Sequence, residues 1–283
     1  MRADYHLHTE FSDDSEYPVE NVVKDAVLLG LDEICFTDHV DYGIKRDPDD
    51  PRGIEYRRGG KGEPEFIPLV NTDNRRYTEE IFRLREKYRN KIAIKLGMEF
   101  GIQVSTIPQF EALFSKYPFD FIILSVHQVD NKEFWTQEFQ NGKTQKEYNE
   151  RYYEEILNVI RNYHDYSVLG HLDLIKRYDQ AGIYPFEKTK PVITEILKTV
   201  ISDGKGIEIN TSSHRYGIDD LTPSTEILSL YRELGGRIIT IGSDSHKKEH
   251  LGAYIDETRS VLRKIGFTEF CTFEKMDPIF HTL

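Results

Sequence analysis

The chain has 283 residues, of which 38% are hydrophobic and 30% charged, with a formal net charge of −12 at pH 7. That length can bury one large core, while so acidic a balance argues against a broad nucleic-acid footprint, which clustered Lys and Arg would have to supply. No run approaches the ~20 apolar residues of a membrane span, no basic-then-apolar leader is seen, and Cys35 and Cys271 are too few for a disulfide framework, so a soluble cytoplasmic protein is expected.

Apolar runs alternate with helical patterns along the chain. The first run, ADYHLH (3–8), is followed by VENVVKDAVLLG, with apolar residues three and four apart and a closing Gly. EICFTDH (33–39) comes next, then a Pro-, Gly- and charge-rich excursion over about 41–71, then the pattern NRRYTEEIFRLREKY. IAIKLGMEF (92–100) and FDFIILSVH (119–127) precede QKEYNERYYEEILNVIRNY, SVLGHLD (167–173) precedes VITEILKTVISDG, GIEINT (206–211) precedes STEILSLYRELGG, and RIITIGSD (237–244) comes last. Strand followed by helix, repeated about seven times with no composition break, predicts a parallel sheet closed into a single α/β barrel domain over 1–283. The excursion reads either as a solvated insertion or as a small lobe covering the strand ends.

Metal-ligating residue types collect at the ends of these runs. His6 and His8, two apart on a strand, share a face. Asp38 and His39 end the second run, Glu99 the third, His127 the fourth, His171 the fifth, and Asp244 with His246 the seventh. In a parallel barrel all strand C-termini open to one side, so six of the ten histidines would meet in one cup. Taken singly, each is an ordinary capped or core residue; together they carry a desolvation cost that bound cations offset. A mixed imidazole and carboxylate set suits two or three borderline divalent ions such as Zn, Fe or Mn. Paired ions generate a hydroxide and clamp phosphoryl oxygens, which makes phosphate ester hydrolysis the leading chemistry.

HLH at 6–8, TDH at 37–39, Glu99 in GMEF, His127 in SVHQ, His171 in GHLD and GSDSH at 242–246 resemble, in order, the motifs of the PHP (polymerase and histidinol phosphatase) superfamily. SVHQV and GHLDLIKRY are most similar to its histidinol-phosphate phosphatase branch. The resemblance implies a distorted (β/α)7 TIM-like barrel with a trinuclear metal cluster at the C-terminal strand ends. It implies one ion held by His6, His8, Glu99 and Asp244, a second by Glu99, His127 and His171, and a third by Asp14, His39 and His246. Many relatives carry histidine at the position of Asp14; a carboxylate is a harder ligand that favours Fe or Mn. Asp13 and Glu10 are alternatives, and Asp13 and Asp14 also read as caps for the following helix.

The expected reaction is hydrolysis of a small-molecule phosphomonoester, L-histidinol phosphate, by a metal-bridging hydroxide, with Glu99, Asp244 and His246 as catalytic residues. Arg177 and Arg215, beyond the fifth and sixth runs, are expected to bind the phosphate. Asp38, Asp244 and His246 are the candidates to protonate the leaving alkoxide. Glu208, Asn210, Glu63 and Glu65 are candidate partners for a cationic amino alcohol. Neither nucleic acid nor membrane is expected as a partner. The alternatives are a PHP nucleotide phosphatase or 3'-5' exonuclease, a barrel that keeps its metals without catalysis, and an amidohydrolase-like deacylase.

Overall fold

Consecutive β-branched and aromatic residues form strands that are buried on both faces, as a parallel sheet requires. In the computed structural model, which describes residues 1–59 and 65–283, these are β1 (Ala3–Leu7), β2 (Glu33–Phe36), β3 (Ala93–Gly101), β4 (Phe121–Ser125), β5 (Val168–Leu169), β6 (Gly206–Asn210) and β7 (Ile239–Gly242). They pair in parallel in that order. A parallel bridge between Leu7 and Ser245 joins the two outer strands, with His8 N donating to Ser245 O at 2.8 Å and Ser245 N to His6 O at 3.2 Å. The sheet thus closes into the distorted seven-stranded barrel expected, through a bridge at the end where His6 and His8 emerge. The distortion is local: the β1–β2 register shifts between Asp4 and Leu7, and β5 is only two residues long.

Each strand is followed by a helix: α1 (Val19–Leu28), α2 (Asn74–Tyr88), α3 (Ile107–Phe114), α4 (Gln145–Asn162), α5 (Phe186–Ser202), α6 (Thr225–Glu233) and α7 (Ile255–Ile265). Thr144 and Glu147 close a reciprocal capping box on α4, and the Asp73 and Ser224 side chains cap α2 and α6. α5 begins six residues before the expected Val192, because Pro191 lies inside it; a proline in the second turn forfeits one backbone bond without ending the helix. α1 starts after Pro18 with no side-chain cap, so Asp13 and Asp14 are not caps. No helix among the described residues is long and apolar enough to cross a membrane.

The barrel's N-terminal end is stopped by the antiparallel hairpin Glu269–Glu274/Asp277–Thr282. The Tyr5 hydroxyl donates to Glu33 and accepts from Phe273 N at 2.7 Å, and the Phe121 and Phe273 rings pack 5.0 Å apart. Loops therefore accumulate at the opposite end. There, the chain leaves the barrel after Val40, pairs Glu55–Arg58 antiparallel with Phe66–Leu69, and returns through Arg46 N to Leu69 O and Asn71 N to Arg46 O.

Candidate active site

The strand ends and the loop after β1 place eight donor side chains around Glu99, which is buried near the end of β3. His39 arrives through a two-residue strand, His39–Val40, paired in parallel with β3 so that His39 lies opposite Glu99. His127 and His171 follow β4 and β5, and Asp244 and His246 follow β7. Glu99 Oε1 lies 2.8 Å from His171 Nε2 and 3.1 Å from His127 Nε2, and accepts from Ser125 Oγ at 2.7 Å. Its Oε2 lies 3.0 Å from His6 Nε2, 3.2 Å from His39 Nδ1 and 3.5 Å from His8 Nε2. Asp244 Oδ1 stands 3.7 Å from His6 Nε2 and 3.4 Å from His8 Nε2. Asp14 Oδ2 faces His39 Nε2 at 3.5 Å and His246 Nε2 at 3.2 Å. The sequence-selected donors thus converge, those of three sets lying within 4.8 Å of one another: His6, His8 and Asp244; His39, Glu99 and His127; and His8, Asp14, His39 and His246.

The imidazoles are aimed from behind. His127 Nδ1 donates to Asp41 Oδ1 at 2.7 Å, and His6 Nδ1 donates to Glu208, which also accepts His171 N at 3.0 Å. Two glycines make these approaches possible: a Cβ on Gly101 would fall 1.8 Å from Asp41 Oδ1, and one on Gly242 2.2 Å from the His6 Cβ. Each bond fixes which ring nitrogen faces the centre, the usual outer support of metal-binding histidines.

Without ions the charges compensate one another. Burial pushes the Glu99 carboxyl up, but the surrounding His6, His127 and His39 hold it well below the usual carboxylate range. Burial lowers His127, yet Glu99 and Asp41 raise it to about 10. His8, depressed by burial and then by His246 and His39, stays neutral. Its Nε2 and the Nδ1 of His39 are buried without a hydrogen-bond partner. Orphaned imidazole nitrogens beside carboxylates are a donor set that suits borderline divalent ions.

A cavity of about 330 Å³ opens onto this cluster. Arg177 lines it, donating Nη2 to Ser212 Oγ, standing 3.8 Å from Asp244 Oδ2 and covering the Tyr216 ring at 4.0 Å. Arg215 does not line it: Nη1 and Nη2 donate to the Ser243 and Asp244 carbonyls at 2.7 and 2.8 Å. Arg57 and Leu69 bring the 41–71 excursion to the wall, beside Glu133, Trp135, Leu174 and Tyr178.

Several expectations are corrected. Asp38 faces away from the cavity: its carboxyl, raised to about 6 by burial, accepts Thr9 N at 2.7 Å and Ser12 Oγ at 2.8 Å, which makes it a brace for the first loop and no proton donor. Glu208 and Asn210 are fully buried beneath the cluster, the first spent on His6 and His171 and the second on Ser212, so neither meets a substrate. Glu65 is exposed and outside the cavity lining, and Glu63 lies outside the described residues. Asp41, Lys45, Glu133 and Trp135 were not selected from sequence. Asp41 alone carried a signal, two positions beyond His39 on the same extended segment.

A family model described as the PHP domain matches residues 4–212. A histidinol-phosphatase of Lactococcus lactis subsp. lactis (strain IL1403) is 34% identical over 97% of this chain and 95% of its own length. A Thermotoga maritima protein described as "probable histidinol-phosphatase" is 29% identical over 93% of this chain and 92% of its own. The crystal structure of the Lactococcus lactis histidinol phosphate phosphatase complexed with zinc, L-histidinol and phosphate matches with a TM-score of 0.79 and 31% identity, covering 98% of each chain.

Proposed function

Because the chain belongs to the PHP domain family, we propose that it is a metal-dependent phosphomonoesterase that hydrolyses L-histidinol phosphate to L-histidinol and phosphate. The observation that carries this reading is the convergence of Glu99 and eight other nitrogen- or oxygen-donor side chains on a cavity that Arg177 also lines. A relative that spans nearly the same length binds zinc, L-histidinol and phosphate together. The reaction belongs to histidine biosynthesis, and the cytoplasm is its proposed location.

In this reading two or three divalent ions of Zn, Fe or Mn are held, one by His6, His8 and Asp244 with Glu99, one by Glu99, His127 and His171, and one by Asp14, His39 and His246. His39 is near enough to Glu99 to serve either of the last two. When bound, the ions lower the pKa of water and offset charge on the phosphoryl oxygens. Arg177 receives the phosphate, since its Nε is buried and unpartnered while Nη2 is already oriented by Ser212. Arg215 adds positive charge on that side and holds Asp244 by its carbonyl. Asp244 turns Oδ1 toward His6 and His8 and Oδ2 toward Arg177. From Oδ2 it takes the proton of the attacking water and returns it to the leaving alkoxide as the P–O bond breaks. His246 keeps Asp14 in register. Glu133 and Trp135, which also line the cavity, receive the substrate's ammonium and imidazole.

Phosphate release from L-histidinol phosphate, mononucleotides and single-stranded DNA by metal-replete protein tests the reading. Histidinol phosphate is expected to show the highest kcat/KM. Preference for a nucleotide or DNA overturns the substrate, and undiminished release by His127→Ala overturns the site.

A further inference from the structure

Two adjacent carboxylates, Asp13 and Asp14, line the cavity beside His39 and His246, yet only Asp14 turns toward those imidazoles. Asp13 is turned elsewhere: its Oδ1 accepts from Lys45 Nζ at 2.7 Å, and both side chains are nearly buried, at 6% and 7% exposure. The same ammonium stands 2.9 Å from Asp41 Oδ2. That second contact lies off the hydrogen-bonding direction and leaves Oδ2 without a hydrogen bond, so it is an ion pair, whereas the Asp13 contact is both ion pair and hydrogen bond. Lys45 is itself fixed at the root of the excursion, its backbone N donating to Asp41 O at 2.9 Å while Arg46 and Asn71 tie the returning strand.

We propose that Lys45 is a positioning residue that holds Asp13 out of the metal ligand set, so that Asp14 alone joins His39 and His246 and a position at the cluster stays open for the phosphate. The argument is one of competition. A buried carboxylate needs a cationic or hydrogen-bonding partner; Asp13 has the ammonium of Lys45, and the cavity it lines with Asp14, His39 and His246 is where a competing cation would be bound. Replacing the ammonium by a methyl-ended chain removes the first and leaves the second. An additional anionic ligand would bind the ions as tightly or more tightly while occupying room that a phosphoryl oxygen needs; an open position is what separates a catalytic from a structural metal site. Lys45 therefore couples the 41–71 excursion to the coordination number of the centre.

The inference rests on the metal reading of the site but not on the identity of the substrate, and its test separates the two. Lys45→Met and the double variant Asp13→Asn/Lys45→Met are compared with wild type for zinc affinity by chelator competition, for inorganic phosphate binding, for the visible spectrum of the cobalt-substituted protein, and for kcat/KM. Lys45→Met is expected to keep zinc at least as tightly as wild type, to lose cobalt band intensity as its coordination number rises, and to bind phosphate about tenfold or more weakly, the range seen when outer partners of metal ligands are removed. Removing the carboxylate in the double variant should restore both the spectrum and most of the phosphate binding. Zinc affinity that falls in Lys45→Met and does not recover in the double variant would overturn the proposal in favour of a packing role. Phosphate binding that stays weak in the double variant would overturn it in favour of direct contact between Lys45 and phosphate. An unchanged cobalt spectrum in Lys45→Met would also sink it.

Discussion

Glu208→Gln is the sharpest test of how the site is held, because the substitution preserves volume and changes one acceptor into a donor. Glu208 is fully buried in β6 and serves two candidate ligands at once, accepting from His6 Nδ1 and from His171 N at 3.0 Å. A glutamine has one carbonyl oxygen for these two donors. If the oxygen stays on His171 N, the amide faces His6 Nδ1 with a donor, and the imidazole must move its proton to Nε2. That nitrogen is the one 3.0 Å from Glu99, so it ceases to be available to a metal. If the amide flips, two buried N–H groups confront each other at His171. Gly242 offers no relief, since its backbone is packed against His6 and Glu208. The first arrangement satisfies the metal-free protein but blocks the nitrogen that faces the metal, and the second leaves one buried donor unmatched at a cost of about 1–3 kcal/mol; in both, metal affinity should fall by about 10–100-fold, as when an outer partner of a metal-binding histidine is lost. Chelator competition reads the affinity, and denaturant unfolding of the metal-free protein reads the stability. A variant that unfolds at the wild-type midpoint and binds zinc as tightly as wild type would show that Glu208 does not set the His6 tautomer.

Arg177→Met should raise the KM for the phosphomonoester and the inhibition constant of phosphate together by about 10–100-fold, the worth of hydrogen bonds to a charged group; equal inhibition constants would remove Arg177 from the phosphate site. Arg215→Met distinguishes holding from contact: because its guanidinium is spent on the Ser243 and Asp244 carbonyls, kcat should fall while phosphate inhibition changes little, and a large rise in the inhibition constant would refute that assignment. Burial raises the Glu133 carboxyl to about 7. A carboxyl raised this far is neutral below that pH and anionic above it, so attraction for the substrate's ammonium strengthens, and KM falls, as pH rises through 7. Glu133→Gln should flatten that component of the KM profile; an unaltered profile would exclude Glu133 as the ammonium partner.

The convergence of the candidate donors was legible because barrel topology converts position along the text into position in space. His6, His127 and His171 are far apart in sequence, but each ends a parallel strand, and such ends share one rim. What could not be read was direction within that rim. Glu208 and Asn210 stand at a strand end like the true cavity residues, yet they lie below the rim with their hydrogen bonds already made. Asp13 and Asp14 are adjacent and chemically alike, and only the fixed ammonium of Lys45 distinguishes them. The same limit applies to the backbone: Pro191 reads as a helix boundary, while the packing of α5 carries the helix through it.

The energetics of the rim explain why so much hydrogen bonding surrounds so few ligands. His171 and Asp244 have positive φ, 21° and 54°, which costs a side-chain-bearing residue about 1–3 kcal/mol each and persists only where the surroundings over-determine it. Both are over-determined. Glu208 takes His171 N, and Arg215 and His246 both reach the Asp244 carbonyl, while Ser243, immediately before it, is anchored by N and Oγ to the buried Asp4 at 2.8 and 2.6 Å. The strained turn lets the chain present Asp244 Oδ1 to β1 and Oδ2 to Arg177 from a single residue, which an extended continuation of β7 would not do. Strain at these two positions is therefore compensated by polar contacts made behind the cluster, and the side chains that make those contacts, Asp4, Glu208 and Arg215, belong to the site as much as the groups that face the cavity.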